Sequence, residues 1–336
     1  MTKNADFLVV GAGVVGVTIA REIKKQYPEQ SVVIIEKEPC PGLHSSGRNS
    51  GVLHSGIYYP PDSIKAKICA QGRQEMADYC ESNNLPLKRL GKVLLPTREE
   101  DGGQLDVLVE RGEVNGVEVE RINEQQLKDL EPEAHSAIGD ALYVPSTSVG
   151  SPKEVIKLLV KEVEALGCEI RYNCSLKSVD VNAKCVTCST GDQISYGHVV
   201  NTAGLHADTV AHKFDVGKQY TLLPFKGIYW KLDPDANFDI RHLIYPVPDL
   251  RVPFLGVHTT TSVDDTTYIG PTAVPAFGRE NYYGCKGVSS SEFIRISSHL
   301  MRQFIAGRNG FRQLAWQEGR RYFKTWFAEA GRALLP

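Results

Sequence analysis

The opening of the chain admits few folds. Phe7-Leu8-Val9-Val10 is a short apolar run with the composition of a buried strand, and Gly11-Ala12-Gly13-Val14-Val15-Gly16 follows it at once. Val17, Ala20, Ile23 and Tyr27 then recur at helical spacing, and a second apolar run, Val32-Val33-Ile34-Ile35, ends in Glu36. In such a G-x-G-x-x-G turn Gly11 permits the tight bend, Gly13 lets the backbone approach a pyrophosphate, and Gly16 lets helix and strand pack closely. The helix N-terminus offers free N–H donors and a partial positive charge. An isolated glycine pattern is weak evidence, because a structural turn explains most matches. Strand, turn, helix, strand and terminal acid in this order point to an adenine dinucleotide, with Glu36 accepting hydrogen bonds from a ribose and Lys37 beside it in the same site.

The segment Gly42 to Lys67, GLHSSGRNSGVLHSGIYYPPDSIKAK, is too polar and glycine-rich to read as core, and is predicted to form the wall of an active site. An NAD fold would continue with another helix and strand. This chain instead enters a loop of Ser45, Ser46, Arg48, Asn49, Ser50 and Gly51, rich in donors that could line a flavin and its phosphates, so FAD is the expected cofactor.

With these residues the chain resembles the D-amino-acid-oxidase-like FAD-dependent oxidoreductases, and within them the L-2-hydroxyglutarate oxidases or dehydrogenases. The likeness rests on GAGVVG, HSSGRNSGVLHSGIYYPPDSIKAKIC, NTAGLHAD from Asn201 to Asp208, PFKGIYW from Pro224 to Trp230, and LIYPVPDLRVPFLGVHTT from Leu243 to Thr260. The first motif is generic to two-dinucleotide folds; the second and last are specific to the subfamily. The resemblance implies an α/β fold: a Rossmann-like FAD-binding domain of the two-dinucleotide-binding type with an inserted β-rich substrate domain. It further implies that the backbone near Leu176 approaches the adenine, that Ala203 and Gly204 let the sheet approach the cofactor, and that Arg48 lies near the pyrophosphate.

Composition sets limits. The 336 residues suffice for two domains, and 42% hydrophobic with 23% charged residues is ordinary for a soluble enzyme. A formal charge of -2 without a dense basic run makes nucleic acid an unlikely partner. Phe7 to Ala20 could mimic a signal-peptide core, but the strand–glycine turn–helix pattern explains the same residues better. The expectation is a cytoplasmic protein, with peripheral attachment to the inner membrane left open and no transmembrane segment. Cys185 and Cys188 form a C-x-x-C in an apparent strand, where residues three apart face opposite sides, and no second pair completes a zinc site. No metal is expected, and the eight cysteines read as scattered thiols.

Beyond Lys67, helices are predicted over Ile68–Asn83, Gly102–Gly112, Asn123–Leu130 and Pro152–Gly167, the last with Val155, Leu158, Leu159, Val163 and Leu166 on one face. Strands are predicted over Leu90–Pro96, Ala141–Val144, Cys168–Tyr172, Leu176–Val181, Lys184–Cys188 and His198–Gly204. Tyr220 to Tyr283 is β-rich and proline-punctuated, and Ser289 to Leu335 helical, its aromatic spacing reflecting packing. The domain reading is 1–80 and 141–215 for the FAD-binding domain, 81–140 and 216–290 for the substrate domain, and 291–336 for a helical C-terminal segment. The resembling proteins continue with a strand, a glycine-rich turn and a helix whose N-terminus points at the flavin's pyrimidine edge. Nothing after Ser289 supplies these, so the expectation is a truncated chain lacking the C-terminal part of the FAD domain, with weaker cofactor retention and hydride acceptance.

The chemistry the resemblance implies is oxidation of a 2-hydroxy acid such as L-2-hydroxyglutarate, with hydride passing from C2 to flavin and electrons onward to oxygen or a membrane quinone. Histidine suits the base because its unperturbed pKa lies near working pH. His54, in the loop expected beside the flavin, and His258, expected to end the FLGVH strand, are the candidates, each alternatively a structural histidine. Tyr58, Tyr59 and Tyr245 could donate to a carboxylate, and Lys65 and Arg251 could counter its charge. Thr147-Ser148-Val149-Gly150-Ser151-Pro152 and Ile228 depart from runs carried by many relatives and leave the exact substrate open. A relative acting on an amine or on glycerol 3-phosphate, and an inactive remnant, are the alternatives.

Overall fold

The structure is a computed structural model that describes residues 2–248 and 255–335. The chain forms two compact units, Met1–Asn49 with Pro152–Pro224, and Ser50–Ser151 with Phe225–Pro336.

The first unit is built on the predicted opening. Strand β1 (Thr2–Val10) runs into helix α1 (Val14–Gln26) and returns as β2 (Val32–Ile35). β1 is longer than its apolar run because it pairs in parallel with Gln193–Asn201 from Thr2 onward. Among the described residues this sheet has six strands, in the order Leu176–Asp180, Cys185–Cys188, Gln193–Asn201, β1, β2, Glu169–Arg171. The four from Gln193–Asn201 to Glu169–Arg171 are parallel, and the other two add as an antiparallel meander. Leu8, Val10, Val33, Val186 and Ile194 pack in one layer against Val210. Helix Pro152–Ala165 lies along α1, where Arg21 Nη1 donates to Glu162 Oε2 at 3.1 Å.

The second unit holds a sheet in the order Leu243–Pro246, Lys92–Leu95, Ala141–Val144, Glu120–Ile122. Successive side chains of Lys92–Leu95 point to opposite faces of this sheet, so alternate residues reach two separate apolar layers. Leu94 joins Tyr58, Leu105, Leu108 and Tyr245; Val93 and Leu95 join Leu127, Leu334 and Leu335. A second sheet orders Trp230–Lys231, Thr267–Gly270 and His258–Thr261, and a third orders Val52–Leu53, Ser148–Gly150 and Leu87–Arg89. Helices Ser290–Ala306, Phe311–Arg320 and Lys324–Arg332 close the chain.

The unit boundaries differ from those read from sequence. Residues 50–80 and 141–151 go with the second unit, because Ser148–Gly150 pairs with both Val52–Leu53 and Leu87–Arg89, and helix Ile64–Ser82 packs on those strands. Residues 216–224 stay with the first, held by Asp208 Oδ2 accepting from Leu222 N at 2.9 Å. The terminal helices are no separate body, since Leu334 and Leu335 complete an apolar layer of the second unit. Nor is the Gly42 to Lys67 stretch wholly outside a core: Gly51, Ser55, Gly56, Ile57 and Tyr58 are all buried. Among the described residues no helix is long and apolar enough to cross a membrane.

Candidate active site

In the first unit the three glycines of the turn have different surroundings. A Cβ on Gly16 would sit 2.0 Å from Gly11 O, and one on Gly11, whose φ is +110°, would sit 2.7 Å from Thr202 O. Those two positions are closed by backbone. At Gly13 the nearest atom is a hydroxyl, Ser46 Oγ, at 3.0 Å. That hydroxyl also accepts from Val14 N at 3.0 Å, placing an acceptor oxygen at the N-terminus of α1, where the helix carries partial positive charge. Glu36, buried at the end of β2, accepts from Ala12 N at 2.7 Å through Oε2 and from Glu38 N at 3.0 Å through Oε1.

The other expected cofactor residues of this unit fall in several places. Lys37 Nζ contacts Glu38 and lies 2.8 Å from His44 Nε2. Ser45 opens a short 3-10 turn, Asn49 Nδ2 donates to the carbonyls of Ser45 and Ser46 at 3.1 and 2.9 Å, and Arg48 Nε donates to Leu43 O at 2.7 Å. Ala203 meets the turn directly, its Cα lying 3.5 Å from a Cβ placed on Gly11. Gly204 takes φ +55° with nothing near its absent side chain. Leu176 is buried in the sheet core, two residues after Cys174, whose N donates to Glu36 O at 2.8 Å. Ser50 falls in the second unit.

There it lines a cavity of about 250 Å³ together with His54, Tyr229, Tyr245, His258 and Glu318. Both candidate histidines therefore face one space. His258 opens its strand rather than ending it, because the strand is His258–Thr261. Its ring stacks on Tyr245, and its Nδ1 lies 2.9 Å from Gly256 O. A carbonyl only accepts, so Nδ1 carries the proton and Nε2 of the neutral ring keeps its lone pair. Burial, opposed by the Gly256 carbonyl and reinforced by His54 and Lys92, pushes His258 down to about 3. His54, edge-on to Tyr245 with its Nδ1 sealed and without a hydrogen-bond partner among the described residues, is pushed to about 4 by burial and by Lys92. Tyr58 is buried next to this cluster, and desolvation raises its phenol well above the ordinary range. Tyr59 is half-buried under the exposed Lys65, whose Nζ lies 5.7 Å from its ring centre. Arg251 lies outside the described residues.

Two residues of this unit escaped the sequence reading. Lys92 has no exposed surface and no hydrogen-bond partner at Nζ among the described residues. Its signal was a charged residue opening an otherwise apolar strand. Glu318, in helix Phe311–Arg320, is buried, accepts from Ala273 N at 2.7 Å and pairs with Arg321. Nothing in the helical period marks it.

The family model for FAD dependent oxidoreductases (DAO) matches residues 6–324 of this chain. The chain belongs to the FAD dependent oxidoreductase family. FAD is accordingly its cofactor. This FAD dependent oxidoreductase is 34% identical over 279 residues to the L-2-hydroxyglutarate dehydrogenase of Escherichia coli, covering 82% of this chain and 66% of the relative. The corresponding figures for the human mitochondrial L-2-hydroxyglutarate dehydrogenase are 33% over 295 residues, 84% and 63%. That of Indibacter alkaliphilus aligns over 341 residues at 34% identity, 98% of this chain and 82% of the relative. The chain thus spans roughly two thirds of the length of several relatives it matches. Among solved structures, the fold is similar to L-alpha-glycerophosphate oxidase from Mycoplasma pneumoniae (TM-score 0.73, 22% identity, 89% of this chain and 79% of that one). It is also similar to glycine oxidase from Geobacillus kaustophilus (TM-score 0.70, 19% identity, 90% and 78%).

The first unit fits FAD. The backbone N–H groups at the N-terminus of α1, met there by the Ser46 hydroxyl, and the Glu36 carboxylate at the end of β2 are the donors and the acceptor that a pyrophosphate and a ribose require.

Proposed function

We propose that this family member oxidises L-2-hydroxyglutarate, or a close 2-hydroxy acid, to the 2-oxo acid. FAD would supply the hydride acceptor for the hydrogen at C2. The turn of Gly11, Gly13 and Gly16 would hold the pyrophosphate, with Ser46 yielding its place at Val14 N, and Glu36 would hold the ribose.

The observation that carries the reading is the pair of neutral imidazoles on one cavity. The substrate hydroxyl must lose a proton as its hydrogen leaves carbon, and an imidazole of the His54–His258 pair would take it. His258 has its tautomer set, with Nε2 free to accept. Burial and the nearby ammonium hold both rings at low proton affinity, and a substrate carboxylate beside them would raise it. Relatives at about a third identity named as L-2-hydroxyglutarate dehydrogenases support this substrate class. Oxygen or a membrane quinone would take the electrons, and the cytoplasm is the proposed location.

The test is anaerobic addition of hydroxy acids and amines to the FAD-loaded chain. Bleaching of the flavin by L-2-hydroxyglutarate and not by amines or glycerol 3-phosphate is the expected outcome. Bleaching by an amine alone, or by nothing, removes the reading.

A further inference from the structure

Lys92 is placed where an apolar side chain would be expected. It begins the strand Lys92–Leu95, hydrogen-bonded between Leu243–Pro246 and Ala141–Val144. By strand alternation Lys92 shares a face with Leu94, and Leu94 is the register partner of Tyr245. The ammonium therefore sits in the layer of Tyr58, Leu94, Leu142 and Tyr245. It is fully buried, and Nζ has no hydrogen-bond or ion-pair partner among the described residues. What it has are two ring faces, Tyr58 at 4.4 Å and Tyr245 at 5.4 Å from ring centre to Nζ.

Two phenol rings attract a desolvated cation, but by less than the loss of its water shell costs. A buried charge is ordinarily paired with an opposite one. Among the described residues, the titratable groups around Lys92 are His54, Tyr58, Tyr245 and His258; two are neutral imidazoles, two are phenols, and none is a carboxylate. Tyr245 is the link. One neighbour of its ring is the ammonium, while the same residue lines the cavity with both histidines.

We propose that the ammonium of Lys92, acting through the rings of Tyr58 and Tyr245, is the specificity-determining charge of the His54–His258 cavity. The cavity then selects a small dicarboxylate, whose negative charge is the counter-ion that no described residue gives Lys92. Lys92 is a positioning and electrostatic residue in this account; it does not line the cavity. Burial alone pushes it down to about 7, so an entering anion draws it toward the charged form, and by reciprocity the charged form binds the anion more tightly. The charge preference deepens the reading of this site as one for a 2-hydroxy acid but is measurable without any turnover.

The probe is 2-oxoglutarate, titrated into the FAD-loaded chain and followed by flavin absorbance and calorimetry between about pH 6 and 9, with 2-oxobutyrate and a neutral amide as comparisons. Affinity for 2-oxoglutarate should fall as pH rises through the Lys92 transition, approaching a limiting slope of about tenfold per pH unit. 2-Oxobutyrate should show a smaller dependence and the amide none. In Lys92→Met the 2-oxoglutarate affinity should drop by about tenfold or more at neutral pH and lose its pH dependence. Lys92→Arg should recover much of the affinity and hold it at high pH. Removing an unpaired buried charge should also raise the ligand-free melting temperature of Lys92→Met, which loss of a merely structural contact would lower. The wild-type titration needs no variant to fold: a flat profile, or equal binding by wild type and Lys92→Met, overturns the proposal. Dianion-selective, pH-dependent binding without bleaching by L-2-hydroxyglutarate leaves the charge role standing and removes only the reaction.

Discussion

The rings of Tyr245 and His258 stack with centroids 3.8 Å apart and planes 14° from parallel. Tyr245 lies in Leu243–Pro246 and His258 opens His258–Thr261, so the contact joins two different sheets. It covers one face of the imidazole while Nδ1–H donates to Gly256 O, which leaves Nε2 as the accepting atom. Tyr245→Phe keeps the stack and should lower the flavin reduction rate by less than about tenfold; Tyr245→Leu frees the ring and should lower it by about a hundredfold or more. Equal rates in the two variants would show that the stack does not position the base.

The same burial makes the second unit sensitive to acid. His54 and His258 are held at about 4 and about 3 against an ordinary 6.5, so between pH 6.5 and 4 the unfolded chain binds more protons than the folded one. Stability should therefore fall as pH drops through that window, with His258, the more deeply buried, contributing more. Urea unfolding at several pH values checks this. A His54→Asn/His258→Asn double variant should give a shallower fall than wild type, and an identical fall counts against the assignment.

The turn glycines should separate folding from cofactor binding. Gly16→Ala puts a methyl 2.0 Å from a backbone carbonyl and should cost several kcal/mol of stability, visible as poor expression or a much lower Tm. Gly13→Ala meets only the Ser46 hydroxyl, at 3.0 Å, so it should fold yet retain little FAD. A yellow, flavin-replete Gly13→Ala would contradict the placement of the pyrophosphate.

Glu36 holds the turn through Ala12 N, at 2.7 Å, and is the acid proposed above to hold the ribose. Glu36→Gln retains an acceptor oxygen and should weaken FAD by about tenfold; Glu36→Ala should weaken it further and cost about 1–3 kcal/mol from the unpaired amide. FAD titration of the apoprotein, read with thermal unfolding, distinguishes the two effects.

Much of the local architecture was legible. The run from Phe7 to Glu36 carries its own strand, bend, helix and acid in order, and the helix Pro152–Ala165 follows from its apolar face, because these patterns depend on neighbours a few residues away. The unit boundaries were less legible. They depend on Ser148–Gly150 reaching back to Val52–Leu53, and nothing within either segment encodes that pairing.

The sequence by itself determined the glycine turn between β1 and α1 and offered His54, Tyr58, Tyr245 and His258 as separate candidates. Only the tertiary structure gathered His54, Tyr245 and His258 around one cavity, brought Glu318 to its lining and set Lys92, without an ion-pair partner among the described residues, against the rings of Tyr58 and Tyr245. The physical reason is range. A helix or a glycine turn is fixed by contacts along the chain, whereas burial and the charge it leaves unscreened arise from strands brought together across many residues.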